Sequence, residues 1–173
     1  MLTIRRLWIP LAAAALALAT FSAQAEETRF SAKLTGAAQL PEPTGSKAEG
    51  EFTLVVSADG KKINYTLAVT NIKNAAGADL HLGPNTANGP AVVKLFPIHG
   101  AAPKKGDFSG VLAEGTITAA SLTGSLLGSE LSDLIDQMRE GNTYVNVHTD
   151  DGVDPPGSGP GDFPRGEIRG QIK

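Results

Sequence analysis

The sequence predicts an all-β, mainly antiparallel domain, either a β-sandwich or a partly closed barrel with one short helical crossover. Three observations support this fold class. Apolar and polar residues alternate with period two through most of the chain, turn residues separate the alternating runs, and only one stretch has helical spacing. Because helices do not alternate with the strands, a parallel doubly wound sheet is excluded.

The clearest strands form a hairpin. Residues 52–57 alternate, Asp59 and Gly60 are typical of a tight turn, and residues 63–70 return with the same alternation. A second turn is expected at residues 74–77. Further strands are expected at residues 30–34, 78–82, 91–96, 108–118, 143–149 and 166–172, with loops at residues 83–90 and 150–164.

One segment changes period. Between residues 122 and 138, apolar side chains recur at spacings of three and four, which indicates a helix, strongest over residues 130–140. Ser129 is the expected N-cap, and Arg139 followed by Gly141 is typical of a helix C-terminus. We expect this helix to cover the core.

The N-terminus has the pattern of a cleavable signal peptide. Arg5 and Arg6 precede an apolar run at residues 7–21, and Ala-Gln-Ala at residues 23–25 is typical of a cleavage site before Glu26. The apolar run is shorter than the roughly 20 residues that span a bilayer. We therefore expect residues 26–173 to form a single domain that is periplasmic or secreted, with no membrane anchor after cleavage.

Composition excludes several function classes. With 15 Lys and Arg against 18 Asp and Glu, the net charge of −3 argues against nucleic acid as a partner. The absence of cysteine excludes disulfides, thiolate metal sites and cysteine nucleophiles. Because no Gly-x-Ser-x-Gly motif is present either, we expect a non-enzymatic protein without catalytic residues.

The polar faces of three predicted strands form the one constellation suited to chemistry. If these strands are neighbours, the faces lie together on one solvated side of the sheet. The faces carry Asp79 and His81 on one strand, Tyr144, Asn146 and His148 on the second, and Glu167, Arg169 and Gln171 on the third.

Three interpretations of this constellation remain open. The first is a structural network in which Glu167 pairs with Arg169 or a histidine. The second is a copper or zinc site formed by His81, His148 and Asp79. The third is a site in which Arg169 binds a small ligand or a peptide carboxylate. The leading expectation involves no cofactor, with copper or zinc as the alternative. The predicted binding residues are His81, His148, Glu167, Arg169 and Asn146.

Two other groups carry weaker signals. Asp150, Asp151, Asp154 and Asp162 are calcium-type ligands without EF-hand spacing, so a solvated loop is expected there. His99, between Pro and Gly-rich residues, is expected to be an ordinary surface-loop histidine.

Several segments resemble a known family. They read Phe-Ser-Ala-Lys-Leu-Thr-Gly at residues 30–36, Ala-Asp-Leu-His-Leu-Gly at 78–83, Asn-Gly-Pro-Ala-Val-Val at 88–93, Gly-Asn-Thr-Tyr-Val-Asn-Val-His-Thr at 141–149 and Gly-Glu-Ile-Arg-Gly-Gln at 166–171. This order resembles the chordin-type (CHRD) domain family, over about residues 30–172. The resemblance implies an exported, β-sandwich-like binding or structural module of bacterial type, with an unknown protein or small ligand as partner. Asp79 stands where the family often has a first histidine, and Arg165 where it usually has glycine.

The signal-peptide interpretation makes a direct prediction. When the exported protein is purified, its N-terminal sequence should begin at Glu26, because the small residues at positions 23 and 25 direct cleavage there. N-terminal sequencing or intact mass measures this. A mature chain that still contains Trp8 would contradict the interpretation.

Overall fold

The structure is a computed structural model that describes residues 27–97, 102–153 and 155–173. The predicted signal peptide, residues 1–25, lies outside the described residues, as do His99 and Asp154. The elements are β1 Thr28–Thr35, β2 Glu49–Val56, β3 Ile63–Leu82, β4 Ala91–Phe96, β5 Lys104–Ile117, α1 Leu131–Arg139, β6 Thr143–Thr149 and β7 Ile168–Gln171.

Five strands close into a barrel. β1 pairs with β2, β2 with β3, β3 with β6, and β6 with β7. β7 returns to β1 through the Thr35–Arg169 pair, and Ser31 and Lys173 exchange two backbone hydrogen bonds of 2.9 Å beside it. β4 and β5 add to β3 outside this circuit. All of these pairings are antiparallel, so the predicted all-β fold class is confirmed, and of its two alternatives the structure has the barrel.

β3 is one continuous strand of 20 residues, so the predicted turn at residues 74–77 is wrong. Its pairing with β5 shifts register between Val69 and Ile72 and again between Lys73 and Ala75. Asn71 and Asn74 adopt positive φ angles of 55° and 50° at these bulges. Asparagine tolerates the left-handed region, so the two residues bend the strand without reversing it. The first half of β3 therefore pairs with β2 and β5, and the second half with β4 and β6.

The helical segment is shorter than the apolar spacing suggests. Within residues 119–139, α1 confirms the strongest prediction, residues 130–140, whereas the residues directly before it form two 3₁₀ turns, Ala119–Ser121 and Gly124–Leu126. Gly124 has φ +57°, and a Cβ there would lie 2.5 Å from the carbonyl oxygen of Ala91, so the chain leaves the helical path at this point. The N-cap is Glu130, not the predicted Ser129; its N–H donates to the Asp133 carboxylate at 3.3 Å.

Apolar side chains from all seven strands and from α1 form one core. Its fully buried members include Phe52 from β2, Leu67 and Leu80 from β3, and Leu134 from α1. None of the helices in the described part of the chain is long and apolar enough to cross a membrane.

The outer face of β6 and β7 differs from the expectation of a solvated surface. Tyr144 is 1% exposed, Asn146 5% and Arg169 2%. In a barrel, one strand face lines the core, and here loops before and after the strands cover the opposite face as well. The predicted wet face is therefore wrong for β6 and β7, and its polar groups must be satisfied inside the protein.

The core makes a prediction about stability. Leu80 is fully buried, whereas Leu127 is 76% exposed. Leu80→Ala should lower the free energy of unfolding by about 2–5 kcal/mol because it leaves a cavity in the barrel, and Leu127→Ala should change it by less than about 0.5 kcal/mol. Urea unfolding of both variants measures the difference. Equal losses would contradict the assignment of Leu80 to the core.

Candidate functional site

The structure brings the three predicted polar strands together in the order β3, β6, β7. Across β3 and β6, Asp79 lies opposite Asn146 and His81 opposite Tyr144. Across β6 and β7, Asn146 lies opposite Arg169. Because each pair shares one side of the sheet, segments distant in sequence contribute to a single polar layer.

His81 is held by a backbone carbonyl. Its Nδ1 lies 3.0 Å from the carbonyl oxygen of Gly89. A carbonyl only accepts, so Nδ1 carries the proton and donates, which leaves the lone pair on Nε2. Among the described residues, this Nε2 is buried and has no hydrogen-bond partner.

His148 is oriented in the same way from another loop. Its Nδ1 donates to the carbonyl oxygen of Pro164 at 3.0 Å, and its Nε2 lies 3.6 Å from Oδ2 of Asp79. Burial lowers the pKa of His148 below its ordinary value, against the opposing effects of Asp79 and the Pro164 carbonyl. The neutral imidazole, with its lone pair on Nε2, is thereby favoured.

Asp79, His81 and His148 form a compact group of potential metal ligands. Each offers one ligand atom, all within 4.8 Å of one another, and all three residues are half-buried. At metal–ligand distances near 2.0–2.2 Å, tetrahedral ligand atoms lie about 3.3–3.6 Å apart, which the 3.6 Å contact between His148 and Asp79 already matches. The residues therefore suit a metal bound by three protein ligands, and small side-chain movements would complete its geometry.

Arg169 has a different environment from the one expected. Its guanidinium lies over the ring of Tyr144 at 3.9 Å, and NH2 donates to the carbonyl oxygens of Pro84 and Ala87 at 3.0 and 3.3 Å. Burial lowers its pKa, and the neighbouring Tyr144 opposes that effect. The side chain is 2% exposed, so an external carboxylate would have to displace the loop to reach it. Arg169 thus fixes the loop at residues 83–90.

Glu167 pairs with neither Arg169 nor a histidine, so the expected ion pair is wrong. Its carboxylate instead accepts hydrogen bonds from the hydroxyls of Ser46 and Thr149 and from the backbone N–H of Gly161. These donors come from β6 and from two loops. Three donors on one buried carboxylate stabilise its charge without a cation.

Asn146 is also engaged within the protein. Its Oδ1 accepts from Gln39 Nε2 at 2.6 Å, and its Nδ2 donates to the carbonyl oxygen of Arg165 at 3.3 Å. Sequence reasoning missed Gln39 and Ser46, because both lie in an irregular proline-containing segment without periodicity. It assigned Tyr144 to the correct face but did not predict its contacts. The ring of Tyr144 stacks on the imidazole of His81, with the ring centroids 4.8 Å apart, and the guanidinium of Arg169 lies over it.

The buried guanidinium makes a testable prediction. Arg169→Ala should lower the free energy of unfolding by about 1–3 kcal/mol, because two loop carbonyls lose their donor. Arg165→Ala, which removes an exposed arginine four residues away, is the matched control and should be close to neutral. Thermal and urea unfolding measure both. An unchanged melting temperature for Arg169→Ala would show that the loop does not depend on this side chain.

Comparison with known proteins identifies the family to which this chain belongs. No curated protein matches the chain. The family described as CHRD domain matches residues 30–158, which include Asp79, His81 and His148; the segment carrying Glu167 and Arg169 follows the matched residues. CHRD domains are, at the family level, non-enzymatic binding or structural modules. The match covers more than half of the sequence, and the chain therefore belongs to the CHRD domain family.

Proposed function

We propose that this chain is an exported, non-enzymatic CHRD module that binds one zinc or copper ion through Asp79, His81 and His148. The observation that carries the proposal is the buried Nε2 of His81, which has no partner among the described residues. Buried polar atoms are nearly always satisfied, and His81 contributes one of three ligand atoms that lie within 4.8 Å of one another. A cation in that group would satisfy it.

The surrounding contacts favour metal binding over a simple hydrogen-bonded cluster. Metal-binding histidines commonly donate their second ring N–H to a backbone carbonyl, which fixes the tautomer and the direction of the lone pair. Gly89 and Pro164 supply such carbonyls to His81 and His148, each at 3.0 Å. Two rings prepared in this way on neighbouring strands, with a carboxylate beside them, form a donor set organised before the ion arrives.

The chemistry of the donors restricts the metal. Two imidazoles and one carboxylate suit zinc and copper, and the same donors occur in non-haem Fe²⁺ centres. A set of three leaves a coordination position for water or for a group from a partner. None of the three proposed ligands is a thiolate, so the site does not need a reducing compartment. Binding of a protein or small-ligand partner by this module remains a prediction from the sequence.

The metal proposal is tested by titration. Protein purified without a polyhistidine tag and freed of metal should bind one equivalent of Zn²⁺ or Cu²⁺, as measured by calorimetry and elemental analysis. His81→Ala, which removes a ligand, and Asp79→Asn, which removes the ligand's charge, should each weaken binding by at least the 10–100-fold, roughly, that follows loss of a residue supporting a ligand. Fe²⁺ is titrated in parallel to identify the preferred ion.

The control for Asp79→Asn is Asp107→Asn, the same change at an exposed position on β5. It should bind metal like the wild type. Circular dichroism establishes that each variant is folded. Stoichiometric binding that survives both ligand substitutions, or folded wild-type protein that binds none of the three ions, would overturn the proposal.

A further inference from the structure

A second group of ligand atoms lies in the loop after β6. The carboxylates of Asp150, Asp151 and Asp162 each place one oxygen within 4.8 Å of the others. Asp150 and Asp151 begin the loop and are exposed, whereas Asp162 lies near its end and is 2% exposed. Three negative charges at this separation repel one another unless a cation lies between them.

The end of the loop is fixed against the barrel, which explains why these residues meet. The N–H of Gly161 donates to the buried Glu167 carboxylate at 2.9 Å, and Phe163 and Thr149 are joined by two hydrogen bonds. Thr149 directly precedes Asp150 in sequence, so the beginning and the end of the loop lie side by side. This brings the carboxylate of Asp162 close to the carboxylates of Asp150 and Asp151.

The buried carboxylate of Asp162 is only partly satisfied within the protein. Its Oδ2 accepts the N–H of Ser158 at 2.8 Å. Its Oδ1 is buried and, among the described residues, has no hydrogen-bond partner. A buried carboxylate oxygen without a donor is costly, and Asp162 is the residue that groups with Asp150 and Asp151.

No described lysine or arginine forms an ion pair with these three carboxylates. The side chain of Lys73 lies along Gly161, but its ammonium is not within 4.0 Å of Asp162. Asp150 and Asp151 each use Oδ1 to accept a backbone N–H, from Gly152 and Val153. These bonds fix the direction of both carboxylates without neutralising them.

We propose that Asp150, Asp151 and Asp162 form a calcium site, separate from the histidine site on β3 and β6. All of its ligand atoms are carboxylate oxygens, which hard cations prefer and which suit Zn²⁺ or Cu²⁺ less well. Calcium accepts six to eight oxygens in flexible geometry, so water and loop carbonyls complete its coordination. Magnesium requires near-ideal octahedral geometry and gives up its water reluctantly, so it should bind this loop less tightly than calcium.

The test is calcium-dependent unfolding of the purified protein. In calcium at about 100 times the dissociation constant, the unfolding temperature should rise by roughly 5–10 °C relative to protein in EGTA. Equal magnesium should raise it much less. Calorimetric titration with CaCl₂ should show one equivalent bound.

Two variants and a control locate the site. Asp162→Asn should lose the calcium-dependent shift and, in EGTA, should unfold at the same or a higher temperature than the wild type, because the buried charge is gone. Asp151→Asn, at an exposed position where a substitution is expected to be close to neutral for stability, should weaken calcium binding at least about tenfold. Asp107→Asn should retain the full shift, and so should His81→Ala, since it lies in the other site.

These outcomes separate the calcium site from the proposed function. A calcium shift that is absent in the wild type, or that persists in both Asp162→Asn and Asp151→Asn, would overturn the calcium site. Zinc or copper binding would remain unaffected by either result. A calcium shift lost in His81→Ala would place the cation at the histidine site and would equally overturn the proposal.

Discussion

Burial of the polar side chains on β6 and β7 is the constraint on which the rest of the site depends, because each charged or hydrogen-bonding group there needs a partner inside the protein. NH2 of Arg169 donates to carbonyls of the loop at residues 83–90, and Gly89 of that loop accepts the Nδ1 proton of His81. Glu167 holds Gly161 in the other loop, in which Pro164 accepts the Nδ1 proton of His148. Glu167, just before β7, and Arg169, within β7, thus fix the two loops that orient the imidazoles.

The two proposed cation sites differ in the chemistry of their donors. One combines two ring nitrogens with a single carboxylate, on β-strands that also form the barrel. The other consists of the carboxylates of Asp150, Asp151 and Asp162, which belong to the loop after β6. Because nitrogen donors favour zinc and copper while carboxylates favour calcium, the two sites need not compete for one ion. The sites are nevertheless connected through β6, where His148 precedes Asp150 by two residues.

Much of the fold could be predicted from the sequence, since alternation reports which strand face is apolar. The hairpin of β2 and β3, the strands β4 and β6, and the common polar face of Asp79 and His81 followed from this pattern alone. The turn expected at residues 74–77 fails because asparagine suits a bulge as well as a turn, and local sequence does not separate the two. The strongest helical prediction, residues 130–140, matches α1, whereas the apolar spacing before residue 130 is not helical because Gly124 leaves the helical path where it approaches Ala91 on β4.

The site was less predictable than the fold, for a related reason. Alternation assigns a residue to a face, but it does not reveal whether a loop covers that face. The partners of Glu167 are hydroxyls and an N–H from loops, and the partners of Arg169 are loop carbonyls, none of which has a periodic signature. The grouping of His81, His148 and Asp79 could be predicted from the sequence, because it required only that β3 and β6 be neighbours in register.

The stacking of Tyr144 on His81 gives the protein an intrinsic optical reporter. The chain contains only two tyrosines, and the ring of Tyr144 lies 4.8 Å from the imidazole of His81, nearly parallel to it. A paramagnetic ion on that imidazole would quench the phenol emission, whereas a diamagnetic ion would leave it bright. Fluorescence excited in the ultraviolet would therefore distinguish Cu²⁺ from Zn²⁺ on the native polypeptide, without an added dye.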